Sequence, residues 1–282
     1  MTVYIDDIQL YTRTFNDHLY YLEEIFARLR KHGLYLKAKK CTLATHEMKY
    51  LGFIIAKEGL KADPSKIEAM TTYERPTNGT EMRAFLGLIR FYRRFIPECS
   101  AITHPLNRLL KADRIYIWEE EEEEAYQTLI KKLTQAPVLK RPEWNKPFIL
   151  YTDGSSKGLG AILSQKDSED RERVIAYASK GTNGAEANYE ATKLECLAVK
   201  WAVGHFHHYL IGRHFTLITD HSALQWLFKR PNPTGIYARW IIRLQEYDFK
   251  VIHHPGKRIQ HVDALSRVPH SNQKETSSKR TV

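Results

Sequence analysis

Residues Pro147 to Gln165 read PFILYTDGSSKGLGAILSQ, and this stretch decides the fold. Phe148, Leu150 and Thr152 alternate with Ile149 and Tyr151. All five favour a pleated surface, which predicts a strand. Asp153 stands at its end. Gly154-Ser155-Ser156 turns the chain, and Gly158 to Gln165 reads as the returning strand of a hairpin. A carboxylate where a strand leaves a sheet is either a metal ligand or a plain turn residue, and this stretch alone leaves both open.

The following sequence returns acids to comparable places. Arg173 to Ser179 reads as a third strand. A long helix is predicted over Ala187 to Tyr209, with Leu194, Leu197, Ala198, Trp201 and Phe206 as its apolar stripe and Glu195 one residue off that stripe. His214 to Thr219 is a fourth strand, and Asp220 ends it as Asp153 ends the first. Short helices over Ala223 to Phe228 and Tyr237 to Tyr247 lead to a fifth strand, Asp248 to His253. A last helix, Val262 to Val268, begins at Asp263, and the polar residues from Pro269 onward read as a disordered tail.

The order βββ-α-β-α-α-β-α predicts an α/β domain with a five-stranded mixed sheet and helices. Strands one and four can be parallel neighbours with the long helix crossing between them. Their ends then share one edge, where open α/β sheets carry their sites. Asp153, Glu195, Asp220 and Asp263 gathered there would repel one another. Two hard, oxygen-coordinated divalent cations would offset this. Such a pair activates water on one side of a phosphodiester and stabilises the leaving oxygen on the other. For any single acid the competing reading is a turn or a cap.

Upstream, the pattern is mixed α+β. Met1 to Tyr11 reads as strand, turn and strand around Tyr4-Ile5-Asp6-Asp7. Two adjacent carboxylates there call for a cation or a basic group unless the turn is simply solvated. Asn16 is the expected cap of a helix carrying Leu19, Leu22, Ile25, Phe26 and Leu29, ended by Gly33. Tyr35 to Cys41 and Met48 to Ala56 read as strands, and Pro64 to Thr71 as a helix capped by Asp63. From Asn78 a helix runs into Arg90, Arg93 and Arg94, interleaved with Phe91, Tyr92 and Phe95. Such a helix suits a nucleic-acid backbone, by charge and by stacking. An amphipathic helix with Arg lying over a core fits equally well. Ile102 to Leu110 reads as a short helix. Trp118 to Glu124, WEEEEEE, reads as the solvated start of another, where the helix dipole favours acids. Arg141 to Asn145 is the expected linker into the last domain.

Composition bounds the partner. The 282 residues carry a net charge of +10 and a pI near 9.3, which favours a polyanion, with nucleic acid the first candidate. Cys41, Cys99 and Cys196 are odd in number and far apart. That argues against a disulfide framework or zinc site and suits a reducing, intracellular compartment, cytoplasm or nucleus. No apolar run is long enough for a transmembrane helix, so no membrane partner is expected, and MTVYIDDIQL has no secretory-signal pattern.

These strings strongly resemble ribonuclease H, and more closely the ribonuclease H domain of Ty3/gypsy-type retrotransposon Pol polyproteins. The likeness lies in KPFILYTDGSSKGLGAILSQ, NYEATKLECLAVKWAV, TLITDHSALQWL and HHPGKRIQHVDALSR. It implies Asp153, Glu195, Asp220 and Asp263 as the metal-binding acids, with Glu190 and Glu186 as rivals of Glu195, which is preferred because ECLAV matches the family string. It also implies a product-release histidine, His253 or His254. Farther upstream, YIDD resembles the second palm motif of reverse transcriptases, making Asp6 and Asp7 metal ligands. Tyr50-Leu51-Gly52 resembles the stretch holding the primer end. Phe85-Leu86-Gly87-Leu88 and Tyr92 to Pro97 resemble the gypsy thumb and connection. The expected domains are thus the end of a palm (1–62), thumb and connection (63–143), a ribonuclease H-like domain (144–268) and a tail (269–282). The resemblance implies magnesium, with manganese as substitute, an RNA/DNA hybrid as partner, and cleavage of the hybrid's RNA strand. It allows the rest of a Pol polyprotein as a further partner. In the family, the fingers and the first palm aspartate precede YIDD by many tens of residues, so RNA-directed DNA polymerase activity is expected of a full-length parent and not of this polypeptide alone. A nucleic-acid-binding relic without catalysis is the alternative.

Overall fold

The computed structural model describes residues 1–71, 74–111, 115–228 and 235–254. The chain divides into two compact units, residues 1–48 and 49–282.

The first unit opens with a hairpin, β1 (Thr2–Tyr4) against β2 (Asp7–Gln9), paired Thr2↔Gln9, Val3↔Ile8 and Tyr4↔Asp7. Ile5 takes a left-handed conformation at its turn (φ 53°). Helix α1 (Phe15–Lys31) starts two residues earlier than expected. Thr14, not Asn16, is the cap, its side chain accepting from the Asp17 N–H at 3.1 Å. None of the residues of α1 is buried. Gly33 follows with φ +66°, the left-handed turn that ends a helix. Residues 35–41 form no strand among the described residues; Ala38–Lys40 is a single 3-10 turn.

The second unit opens with a three-stranded sheet in the order β3 (Met48–Tyr50), β4 (Phe53–Ile55), β5 (Leu60–Ala62). The strand expected over 48–56 is broken in two because Leu51 and Gly52 both turn left-handed, at φ 48° and 78°. Helices α2 (Pro64–Thr71), α3 (Gly79–Tyr92), α4 (Cys99–Ile102), α5 (His104–Arg108) and α6 (Glu120–Thr134) follow. Asn78 caps α3 by accepting from the N–H groups of Thr80 and Glu81, each at 3.0 Å. Glu119 and Glu122 close a reciprocal capping box at the start of α6, so part of the acidic run does structural work.

Next comes the five-stranded sheet, β6 (Phe148–Gly154), β7 (Gly158–Lys166), β8 (Glu172–Gly181), β9 (Phe215–Thr219) and β10 (Phe249–His253), in the spatial order β10-β9-β6-β7-β8. β10, β9 and β6 run parallel, while β7 and β8 return antiparallel. The predicted long helix is broken at both ends. A 3-10 turn (Glu186–Asn188) precedes α7 (Ala191–His205), and α8 (His207–Leu210) follows it. Helices α9 (Ala223–Leu227) and α10 (Gly235–Leu244) complete the domain. The expected helix at 262–268 and the tail lie outside the described residues.

Strand alternation splits the core in two. Phe148, Leu150, Phe215 and Leu217 face α7 and α10. Tyr151, Val174, Tyr177 and Ile218 face the layer holding Phe85, Ile89, Leu129 and Leu133 of α3 and α6. The sheet is therefore covered on both faces, which is why β6 reads as an apolar run. The 141–145 stretch is not a free linker. The Glu143 N–H donates to Gln165 Oε1 (2.9 Å), the Gln165 amide donates back to Glu143 O and Lys146 O, and Leu139 bridges to Leu60. Among the described residues, no helix is long and apolar enough to cross a membrane.

Because the second layer shares a core with the sheet, Leu129→Ala on α6 is expected to destabilise the sheet domain itself by about 2–5 kcal/mol. Urea unfolding followed by amide exchange of β6 and β9 checks this. Unchanged protection of those strands would show the layers to be independent.

Candidate metal centre

β6 and β9 are parallel neighbours in the register Phe148↔Phe215 to Tyr151↔Ile218. Continuing that register by two residues sets Asp153 level with Asp220. Glu195 arrives from α7, on the second turn of the helix that crosses between the two strands. Each of the three offers a carboxylate oxygen, and these oxygens all lie within 4.8 Å of one another. Asp153 and Asp220 are exposed, whereas Glu195 is buried, with 6% of its surface accessible.

A glycine makes the close approach of α7 possible. A Cβ at Gly154 would lie 2.5 Å from Leu194 O and 2.9 Å from Glu195 N, so any side chain there would push the helix away. The Gly154 N–H donates to Glu195 Oε1 at 3.3 Å. The other oxygen, Oε2, is buried and has no hydrogen-bond partner among the described residues. A buried carboxylate oxygen left unpaired is costly, and an ion is one way to satisfy it.

The electrostatics agree. Burial, then the charges of Asp153 and Asp220, push the Glu195 carboxyl up to about 8 against a gain from the Gly154 N–H. Asp153 is also raised, first by the loss of water at the sheet end that backs it, despite its exposed edge, and then by Asp220 and Glu98. All three donors are hard oxygens with no nitrogen or sulfur among them, so the set fits a hard divalent cation.

Glu98 was not singled out from the sequence. It precedes α4 in a left-handed conformation (φ 53°), and the Ser100 N–H after it donates to Ser179 Oγ of β8 at 2.8 Å. Only the tertiary packing of that turn onto the sheet brings its charge near Asp153. Gly154 has the sequence context of a turn residue, and its contact with α7 leaves no local signal.

The other sequence candidates are placed as follows. His253 ends β10, pairs with Thr219, and sets Nε2 2.9 Å from Asp220 O. His254 donates its backbone N–H to Thr219 O at 2.9 Å. Glu190 accepts from the Tyr237 hydroxyl at 2.8 Å, and Glu186 pairs with Lys180, so neither rival joins the three acids. Asp263 lies outside the described residues. Asp6 and Asp7 are exposed at the β1–β2 turn and belong to no cluster of three or more candidate ligands among the described residues. Arg90 and Arg93 are exposed, and Arg94 is half-buried. Tyr92 is a correction: it is 2% accessible and its hydroxyl donates to Gly52 O, so its ring packs in the core and offers no face to a base.

Residues 143–247 match the family model described as an RNase H-like domain found in reverse transcriptase, and residues 1–55 match reverse transcriptase, RNA-dependent DNA polymerase. The chain thus carries a reverse-transcriptase segment and an RNase H-like domain, the pairing of its Pol polyprotein relatives. It is 38% identical over 267 residues to the retrovirus-related Pol polyprotein from transposon 297 of Drosophila melanogaster, covering 94% of this chain and 25% of that one. It is 31% identical over 269 residues to the transposon Tf2-3 polyprotein of Schizosaccharomyces pombe, covering 94% of this chain and 20% of that one. The chain thus spans a quarter or less of these relatives. Foamy viral protease-reverse transcriptase shares the fold. One structure, in complex with RNA/DNA hybrid, has a TM-score of 0.78 at 22% identity and covers 100% of this chain and 38% of its own. Another, in complex with double-stranded DNA, has a TM-score of 0.78 at 24% identity and covers 90% and 45%. Both domains belong to nuclease and polymerase enzyme families, and RNase H-like domains depend on metal.

The raised Glu195 sets a pH dependence. Its folded form holds a proton up to about pH 8, its unfolded form only to about 4.5. Between those values the folded state binds more protons, so without a cation the RNase H-like domain loses stability as pH rises. Glu195→Gln keeps an acceptor for the Gly154 N–H and removes the charge. It is expected to raise the ion-free melting temperature at pH 8, on the order of 5 °C, and to leave it unchanged near pH 4.5. Calorimetry in a chelator reads this, and equal melting temperatures at pH 8 would refute it.

Proposed function

We propose that the RNase H-like domain is a metal-dependent endonuclease that cuts the RNA strand of an RNA/DNA hybrid. The observation that carries the reading is the convergence of Asp153, Glu195 and Asp220 at the ends of two parallel strands and a crossing helix. Magnesium is the proposed ion, with manganese as substitute. Asp153, Glu195 and Asp220 would hold it, and Asp263 is proposed as a fourth ligand on the resemblance of its string. When bound, such ions supply charge neutralisation, an activated water and stabilisation of the leaving oxygen.

The protein's own residues divide the remaining tasks. Asp153 and Asp220 present their carboxylates at the open edge, where a phosphodiester can approach. Glu195 closes the back of the site, where burial keeps water away from its inner oxygen. The Gly154 N–H fixes the orientation of that carboxylate. Since a carbonyl oxygen only accepts, His253 donates Nε2–H to Asp220 O and so holds the Asp220 main chain against β10. The exposed Arg90 and Arg93 of the neighbouring layer supply cations for the phosphate backbone, in keeping with the net charge of +10. Discrimination for hybrid would rest on 2′-hydroxyl contacts to one strand. The proposal does not include the Asp6-Asp7 motif; RNA-directed DNA synthesis is assigned to longer Pol polyproteins of this kind.

Asp153→Asn is expected to lower magnesium-dependent cleavage of a labelled hybrid by at least about a hundredfold, with hybrid binding largely intact. Cleavage at the wild-type rate by this variant would sink the assignment. Salt-sensitive hybrid binding without any cleavage by the wild-type chain would favour a binding relic instead.

A further inference from the structure

Glu195 and Asp220 come from different elements, and something must set their separation. On the β6 side, α7 is seated by Gly154, through the close approach and the N–H bond described above. On the β9 side the structure offers a second tie. Thr192 is the second residue of α7, one helical turn before Glu195 and on the same face. His221 directly follows Asp220. Thr192 Oγ1 and His221 Nε2 lie 3.3 Å apart. His221 is itself anchored to the end of β9, its backbone N–H donating to Thr219 Oγ1 at 3.1 Å. Its other ring nitrogen, Nδ1, is buried and has no hydrogen-bond partner among the described residues, so among these Thr192 is the polar contact that orients the imidazole. The two residues thus link the turn of helix that carries Glu195 to the strand end that carries Asp220, and neither is one of the three acids.

We propose that Thr192 and His221 form a positioning pair that holds Glu195 at its working distance from Asp220. The inference rests on the metal-site reading above. The physical ground is the repulsion among the acids, which drives α7 and the β9 end apart whenever they are charged. Gly154 resists that only on the β6 side. A tie one turn away resists it on the other, and small displacements of ligands are expensive in a site of this kind.

The test uses the full chain with Thr192→Val, which removes the hydroxyl at constant shape, His221→Phe, which keeps a ring without nitrogen, their combination, and Thr192→Ser, which keeps the hydroxyl. Magnesium affinity is measured by titration calorimetry, and kcat and KM on a labelled hybrid, with circular dichroism and melting to confirm folding. Each single variant is expected to weaken magnesium binding and lower kcat by about tenfold with KM unchanged. The combination is expected to lose no more than either single variant, and Thr192→Ser to behave as wild type. If Thr192→Val does not fold, Thr192→Ala takes its place. Wild-type magnesium affinity in the single variants, or losses that multiply in the combination, would overturn the proposal. A wild-type chain that binds magnesium but cleaves no hybrid would defeat the nuclease reading alone, because the affinity comparison still decides the pair.

Discussion

Mutual repulsion among three carboxylates is the constraint that the rest of this structure answers to. At an effective dielectric near 20, two full charges 4.8 Å apart repel by roughly 3–4 kcal/mol. Free side chains would swing apart. Here each backbone is fixed by something other than the site. Asp153 belongs to a strand paired on both sides, by β7 and β9. Asp220 follows a strand paired by β6 and β10. Glu195 rides on a helix that is buried on every side from Leu194 to Val199. The fold holds the acids together, and burial first, then their mutual charge, raises the Glu195 and Asp153 carboxyls.

That rigidity depends on both faces of the sheet. A sheet covered by α7 and α10 alone would leave Tyr151, Val174, Tyr177 and Ile218 in water. Helices α3 and α6 bury them instead, with Leu129 and Phe85 fully inaccessible at the contact. The same layer brings Glu98 close enough to act on Asp153. The upstream helices are therefore part of the nuclease-like domain's support and of its electrostatics, and a boundary at residue 143 divides a shared core.

The sequence disclosed the sheet because β6 alternates between two buried faces and because acids recur at two strand ends. Parallel pairing of β6 with β9 then follows from a crossing helix. What stayed hidden depends on distance in three dimensions. Gly154 reads as a turn residue until α7 is seen 2.5 Å from where its Cβ would be. Glu98 lies in RFIPECS, with nothing local to mark it. Tyr92 was legible and missed: Phe85, Ile89 and Tyr92 recur at helical spacing, and that stripe is the buried face of α3. Thr14 and Asn16 are both good caps two residues apart, and local chemistry does not choose between them. Residues 48–56 look continuous because β-favouring types surround Leu51 and Gly52, whose left-handed turn breaks the strand.

The histidine question shows how far geometry refines a resemblance. His253 is the last residue of β10, and His254 lies just past the strand. His253 is the one whose ring reaches Asp220, and it does so as a donor to a carbonyl oxygen. Its Nε2 must then carry a proton in every charge state compatible with that bond. The ring nitrogen outside that bond is Nδ1. Through Nε2 the His253 ring holds the Asp220 main chain against β10, so the strand end that carries one acid is tied to its neighbour by a side chain as well as by the ladder. His254 meets the same strand end through its backbone, its N–H donating to Thr219 O, so of the two rings it is that of His253 that bears on Asp220.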